Sequence, residues 1–224
     1  MKTRYEILLC ATKLFLEKGY TDAYVTTIAN TLKISTGNLT FHYPTKEHIL
    51  AELVKELCAF QRQTEEGEED GEYSRLKAYF LELVMFASLC EENPNIKDLM
   101  IATYTRPMSL EIIRVNDTKR AMNIYKEFCR DWADIVFVQA ENIVSGIEYA
   151  MFRTENTEHL SFEERVTSSM DAIMKIYEVP VSIRQRIVAE VMSVDYWDRG
   201  RRVFNEFYTY VENIYLEEII KEKR

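Results

Sequence analysis

The sequence predicts an all-α protein in which a small N-terminal three-helix unit precedes a larger helical domain. Three observations predict it. Apolar residues recur at helical spacing through most of the chain, and strand-like alternation is scarce. Only six Gly and four Pro interrupt 224 residues. The breakers (Gly19, Pro44, Gly67 with Gly71, Pro94, Pro107, Pro180 and Gly200) punctuate the chain and, Gly200 apart, fall between the periodic stretches.

The first helix is predicted over 2–18, where Ile7, Ala11, Leu14 and Phe15 share a face and Gly19 follows a lysine at the C-terminal end. A short helix follows over 26–32, with Ile28, Ala29 and Leu32 turned inward. A third covers 36–42 and is stopped by Pro44. Thr45 can cap a fourth over 46–60. The acidic, glycine-punctuated stretch from Glu65 to Glu72 reads as an exposed segment, and a domain boundary and a solvated turn fit it equally well. The boundary reading gives a domain at 1–48 with its motif in 24–43, a connecting helix at 46–64 and a second domain at 74–224. Apolar patterning predicts further helices over 74–91, 96–105, 109–130, 132–153, 162–178, 182–196 and 198–221. The last carries Val203, Phe204, Phe207, Tyr208, Val211, Ile214, Tyr215 and Ile219, a stripe that suits the chain's own core or a partner chain.

An apolar content of 47% is enough for a sizeable core. No run of 18 apolar residues occurs, and the N-terminus lacks the pattern of a secretory signal, so the expectation is a cytoplasmic protein with no membrane segment. Cys10, Cys58, Cys90 and Cys129 are scattered, without paired spacing, and read as reduced, partly buried thiols. The net charge of −9 argues at first against a nucleic-acid partner. Its distribution argues otherwise. Residues 1–48 carry six Lys and Arg against four Asp and Glu, so the acidity lies in the remainder. Phosphate contacts act within about 8 Å at physiological salt, so a local basic footprint is sufficient.

The segment from Val25 to Tyr43 carries the function. Two short helices are joined by Lys33, Ile34 and Ser35. Small Ala29 lets the helices approach, and Ile28, Leu32, Ile34 and Leu39 can form one mini-core. Ser35 is placed to cap the second helix. That is the helix-turn-helix pattern. With Leu39 inward, Thr36, Gly37, Asn38, Thr40 and His42 remain outside, all small or hydrogen-bonding. Such a surface suits the DNA major groove, about 12 Å wide, where side chains must reach base edges without bulk. Gly37 forms helix poorly, and its presence suggests that something outside the chain needs room there.

The stretch Thr26 to Leu50 resembles the TetR family of transcriptional regulators. The matching features are Ile28-Ala29, then Ser35-Thr36-Gly37-Asn38-Leu39, then Phe41-His42-Tyr43, then Thr45-Lys46-Glu47. The resemblance covers about a quarter of the chain. It implies that Thr26 and Thr27 touch phosphates, and that Thr36, Gly37, Asn38 and Thr40 face base edges or sugar. It implies that Phe41, His42 and Tyr43 lie along the DNA backbone, Tyr43 partly in the core, and that Lys46 binds phosphate at a helix N-terminus. With the Ser35 cap these form the predicted DNA surface. Lys33 stands where the family usually has Gly, Tyr24 and Val25 replace hydroxyl residues, and Phe41 stands where Tyr is frequent.

The second domain is rich in aromatics and methionines, which permit an apolar pocket between helices. Phe86, Met100, Tyr104, Tyr125, Phe128 and Trp132 are the pocket residues proposed from sequence. The resemblance implies a homodimer on a near-palindromic double-stranded operator, repression by default, and release by a small-molecule effector. The alternative is a DNA-binding regulator whose second domain takes a protein partner. The sequence offers no nucleophile elbow, no phosphate-binding glycine loop and no His/Cys/Asp cluster with ligand spacing, so catalysis, cofactor and metal are not expected.

Overall fold

A computed structural model describes residues 4–66 and 73–222. Segment 67–72, most of the acidic boundary, lies outside the described residues, as does the predicted start of the first helix at Lys2. Among the described residues there are eleven helices and no strand beyond one isolated bridge between Thr157 and Leu160.

The N-terminal unit comprises α1 (Arg4–Asp22), α2 (Val25–Leu32), α3 (Thr36–His42) and the start of α4 (Lys46–Glu66). Ile7, Ala11, Phe15, Ile28, Leu39 and Leu50 are all but sealed from solvent and form its core. The chain breaks helical geometry at Gly19, φ 78° and ψ 168°, three residues before α1 ends.

The larger part comprises α5 (Ser74–Glu92), α6 (Pro94–Thr105), α7 (Pro107–Ile124), α8 (Asp134–Arg153), α9 (Phe162–Ile176), α10 (Val181–Met192) and α11 (Tyr196–Glu222). Four of these start earlier than the sequence reading places them, α10 by one residue and α6, α7 and α11 by two. Pro94 and Pro107 occupy the first helical turn, where a missing N–H costs nothing, so they open α6 and α7 instead of preceding them. Asn93 caps α6 by accepting from the N–H groups of Asn95 and Ile96. Ser161 and Glu164 form a reciprocal capping box on α9. The predicted helix over 109–130 ends at Ile124, because the chain turns through Tyr125 to Cys129.

The apolar stripe of α11 faces inward. Phe207, Val211 and Tyr215 join Leu99, Ala102 and Ile113 in the core of the first four helices. Burying each such side chain contributes roughly 1.5–3 kcal/mol, enough to commit the stripe to this chain and not to a partner. Exposed apolar side chains lie on α8, where Ile135, Val138 and Ile143 are 60%, 49% and 57% exposed, and off the stripe near the end of α11, at Leu216 and Ile220. Cys58, Cys90 and Cys129 are buried, and desolvation pushes their thiols up to about 12, 12 and 11, which keeps them protonated and unreactive. Among the described residues no helix is long and apolar enough to cross a membrane.

Candidate nucleic-acid interface

The turn between α2 and α3 is built by backbone hydrogen bonds. Lys33 takes the left-handed conformation, φ 57° and ψ 43°. Its N–H donates to Asn30 O at 3.1 Å, and Ile34 N–H donates to Ala29 O at 3.0 Å. Extended backbone at Ser35 then redirects the chain, and its Oγ accepts from Asn38 N–H at 3.1 Å. Leu39, fully buried, anchors α3 on the core. Orientation of the helix is thus fixed from below and from its N-terminus.

Above Leu39 the surface is small and polar. Thr36, Gly37 and Thr40 are exposed, Asn38 and His42 half-buried. Asn38 Oδ1 and His42 Nε2 are shielded and have no hydrogen-bond partner among the described residues. Thr40 Oγ1 donates to Gly37 O within the helix. Phe41 is 78% exposed and meets His42 edge-on. A Cβ at Gly37 would come no nearer than 3.9 Å to Ser35 Oγ, so packing within the chain does not demand glycine. Thr26 is exposed and Thr27 half-buried at the start of α2, an end that no side chain caps.

Three of the predicted DNA residues are engaged inside the protein. The hydroxyl of Ser35 is the cap. Tyr43 is buried, and its hydroxyl accepts from Arg4 Nε at 2.8 Å, so it supports α3 from beneath and does not line the surface. Arg4 also pairs with Glu52 at 2.9 Å, and burial raises the Tyr43 phenol. The ammonium of Lys46 turns toward α1, donating to Tyr20 O at 2.5 Å and to Thr21 O at 3.2 Å. Burial lowers its pKa. These contacts were invisible in the sequence because they join residues 26 and 39 positions apart.

A joint between the two parts lies beside Lys46. Asp98 of α6 accepts from Thr21 N–H at 2.6 Å and from Thr21 Oγ1 at 2.7 Å. Asn95 Nδ2 donates to Glu17 O, and Met108 N–H donates to Glu47 Oε1. Of these residues only Glu47 stood out in the sequence, as part of the Thr45-Lys46-Glu47 match.

Helix α4 leads from this joint to a chamber of about 320 Å³ between α4, α5 and α11. Leu57, Phe60, Leu81, Phe86, Phe204 and Phe207 give it mostly apolar walls. Of the six predicted pocket residues, Phe86 lines this chamber. Met100 and Tyr104 line a narrow void of about 20 Å³ that shares Phe86 with it. Tyr125, Phe128 and Trp132 lie apart from both, in aromatic packing: Tyr125 stacks on Tyr177 at 3.9 Å, Trp132 lies 5.8 Å from Tyr177, and Phe128 stacks on Tyr73. The α11 wall escaped the sequence reading, since its stripe looked like ordinary core.

No curated protein matches the chain significantly. Among solved structures it is similar to the TetR family protein CprB from S. coelicolor A3(2), at 20% identity and TM-score 0.48, covering 84% of this chain and 96% of that one. It is similar to a gamma-butyrolactone receptor (ArpA-like protein) at 19% identity and TM-score 0.44, over 85% of this chain and 94% of that one. Mycobacterium smegmatis AmtR matches at 17% identity and TM-score 0.41, over 87% and 96%. Residues 7–53, which contain the whole of α2 and α3, match the family model of the bacterial regulatory proteins of the tetR family. Over these residues, the N-terminal helices that carry the helix-turn-helix, the chain is similar to the bacterial regulatory proteins of the tetR family.

Proposed function

We propose that the protein is a cytoplasmic repressor that holds a near-palindromic operator as a homodimer and releases it when a small, largely apolar molecule enters its second domain, 74–224. The observation that carries this reading is the course of α4. It begins at Lys46, directly after the reading helix, and its far end supplies Leu57, Phe60 and Gln61 to the wall of the chamber. A ligand that prefers one shape of the chamber therefore biases the position of α4, and with it the pose of α3.

In this reading Thr36, Gly37, Asn38 and Thr40 face the bases, while Thr26, Thr27, Phe41 and His42 lie along the backbone. Two readers about 34 Å apart would then meet successive major grooves. The apolar side chains left exposed on α8, Ile135, Val138 and Ile143, support that helix as the dimer surface. Gly146 continues the same face, and apart from its chain neighbours and its own helix backbone nothing lies within 4 Å of its Cβ position, so a second helix can approach closely there.

The test is operator selection from a random DNA library with the full-length protein, followed by fluorescence anisotropy with and without small molecules. The expected result is a two-fold symmetric site bound by two chains and released on ligand addition. A monomer on an asymmetric site, or binding indifferent to every ligand that occupies the chamber, would overturn the reading.

A further inference from the structure

Helix α11 belongs to two cores. Its first half packs Tyr196, Val203 and Phe204 on the interior of the second domain. Its second half places Phe207, Val211 and Tyr215 in the core of the first four helices. These residues recur at helical spacing, so one face of one unbroken helix of 27 residues serves both. An unbroken helix moves as a rod. A displacement at Phe204 therefore reaches Tyr215, about 16 Å further along the axis.

At one end of the rod is the chamber. Phe204 and Phe207 stand in its wall, and both also border an apolar void of about 40 Å³ that reaches Leu16 of α1 and Leu50 of α4. That void is room behind the wall: rings pressed from the chamber side can yield into it, which a close-packed interior would not allow. At the other end is the DNA-binding unit. Tyr215 is 1% exposed, and its ring lies 6.2 Å from that of Tyr5 in the first turn of α1. Glu212 pairs with Lys13 of α1 at 2.8 Å. Arg4, next to Tyr5, donates Nε to the hydroxyl of Tyr43 at 2.8 Å and lies 5.6 Å from the centroid of that ring. Tyr43 closes α3, its N–H donating to Leu39 O. Contact is thus continuous from the chamber wall to the end of the reading helix. The hydroxyl of Tyr215 has no hydrogen-bond partner among the described residues, so packing holds this ring on α1 and no hydrogen bond must break for it to shift.

We propose that α11 is a second arm between chamber and DNA: a shift of Phe204 and Phe207 at the chamber moves Tyr215 against Tyr5, and Arg4 passes that movement to Tyr43 and α3. This rests on the ligand-responsive reading above and adds a route to the one along α4. The two routes meet in the chamber floor, where the ring of Phe60 on α4 lies 5.6 Å from that of Phe207 and 5.4 Å from that of Tyr210. They part beyond it. Helix α4 runs back to Lys46, at the end of α1, whereas α11 reaches the first turn of α1 at Tyr5. The reading helix is then addressed from both of its sides, and the coupling carried by each can be measured by breaking one.

Gly200 offers a wedge that needs no ligand. It lines the chamber, and a Cβ there would lie 3.3 Å from Met85 O and 3.4 Å from Ser88 Oγ, so a side chain at this position pushes α11 away from α5. A double-mutant cycle of Gly200→Leu with Tyr215→Ala in the full-length protein tests the arm. Operator affinity and amide hydrogen exchange over 36–43 are measured in each member. Gly200→Leu is expected to lower affinity about tenfold and to speed exchange in α3. With Tyr215→Ala present, the same wedge is expected to cost about threefold or less, the remainder passing along α4. Tyr5→Ala breaks the same contact from the other side and replaces Tyr215→Ala if that variant does not fold; Gly200→Ala is the milder wedge. Equal effects of the wedge with and without Tyr215 overturn the arm and leave α4 as the route. A wedge without effect in the parent overturns the arm as well. If the parent selects no operator, the regulator reading falls, and the exchange cycle still decides the arm.

Discussion

The ammonium of Lys46 donates to the backbone carbonyl of Tyr20 at 2.5 Å and lies 4.2 Å from the centroid of the same residue's ring. One side chain therefore ties the start of α4 to the end of α1, next to the Thr21–Asp98 contact with α6. Lys46→Ala is expected to lower stability by about 1–2 kcal/mol in urea unfolding, from the lost charged hydrogen bond and cation–π contact. It is expected to weaken DNA binding without changing its salt dependence. A slope of log K against log salt that becomes shallower by about 1 would instead put this ammonium on a phosphate.

Gly19 is the backbone device that makes the joint possible. Its φ of 78° with ψ of 168° belongs to a region that side chains make costly, by about 1–3 kcal/mol. A Cβ there would also sit 2.7 Å from Asp98 Oδ2, an oxygen held by Thr21 N–H. Gly19→Ala is expected to cost about 2–4 kcal/mol in thermal unfolding and to break the Thr21–Asp98 bonds. An unchanged melting temperature would show that the joint relaxes freely.

Asn38 is half-buried on the reading face with Oδ1 unpartnered. An amide that contacts a base edge contributes about 1–3 kcal/mol of discrimination. Asn38→Ala is therefore expected to lower operator affinity by that amount while leaving binding to unrelated DNA nearly unchanged. Competition anisotropy against both DNAs reads the difference, and equal losses on both would move Asn38 off the bases.

Gly37 separates a structural role from a binding role. An alanine Cβ there finds only Ser35 Oγ, at 3.9 Å. Gly37→Ala is expected to raise stability by up to ~1 kcal/mol through helix propensity. Operator affinity is expected to fall tenfold or more, roughly 1.4 kcal/mol, because the methyl meets DNA. Unchanged affinity would mean that nothing approaches this position.

Local chemistry was legible in the sequence, and distant pairing was not. The cap at Ser35 and the inward Leu39 follow from residue type and spacing within a few positions, whereas the left-handed conformation of Lys33 does not follow from its residue type. Helix starts at Pro94 and Pro107 were missed by two residues because proline both ends and opens helices. The α11 stripe was read correctly as apolar, but the choice between core and partner depends on helices far away in sequence. Lys46 shows the same limit: a lysine at a helix start is a phosphate ligand or an internal clamp, according to where Tyr20 lies.

The protonated interior has a measurable consequence for stability. Burial raises the Glu141 carboxyl to about 8 from an ordinary 4.5, against the smaller opposing effect of the Tyr177 hydrogen bond. Between those two values the folded state keeps a proton that the unfolded chain has released. Stability therefore falls as pH rises through this window, by up to ~1.4 kcal/mol per pH unit for one proton, and levels off above it. Glu148 contributes in the same direction. Glu141→Gln cannot ionise, and its amide oxygen can still accept from Tyr177. It is expected to flatten part of the pH dependence and to be more stable than the parent at pH 8, with little difference at pH 4.5. Urea unfolding at a series of pH values measures both curves, and parallel curves would mean that Glu141 is ionised in the folded protein.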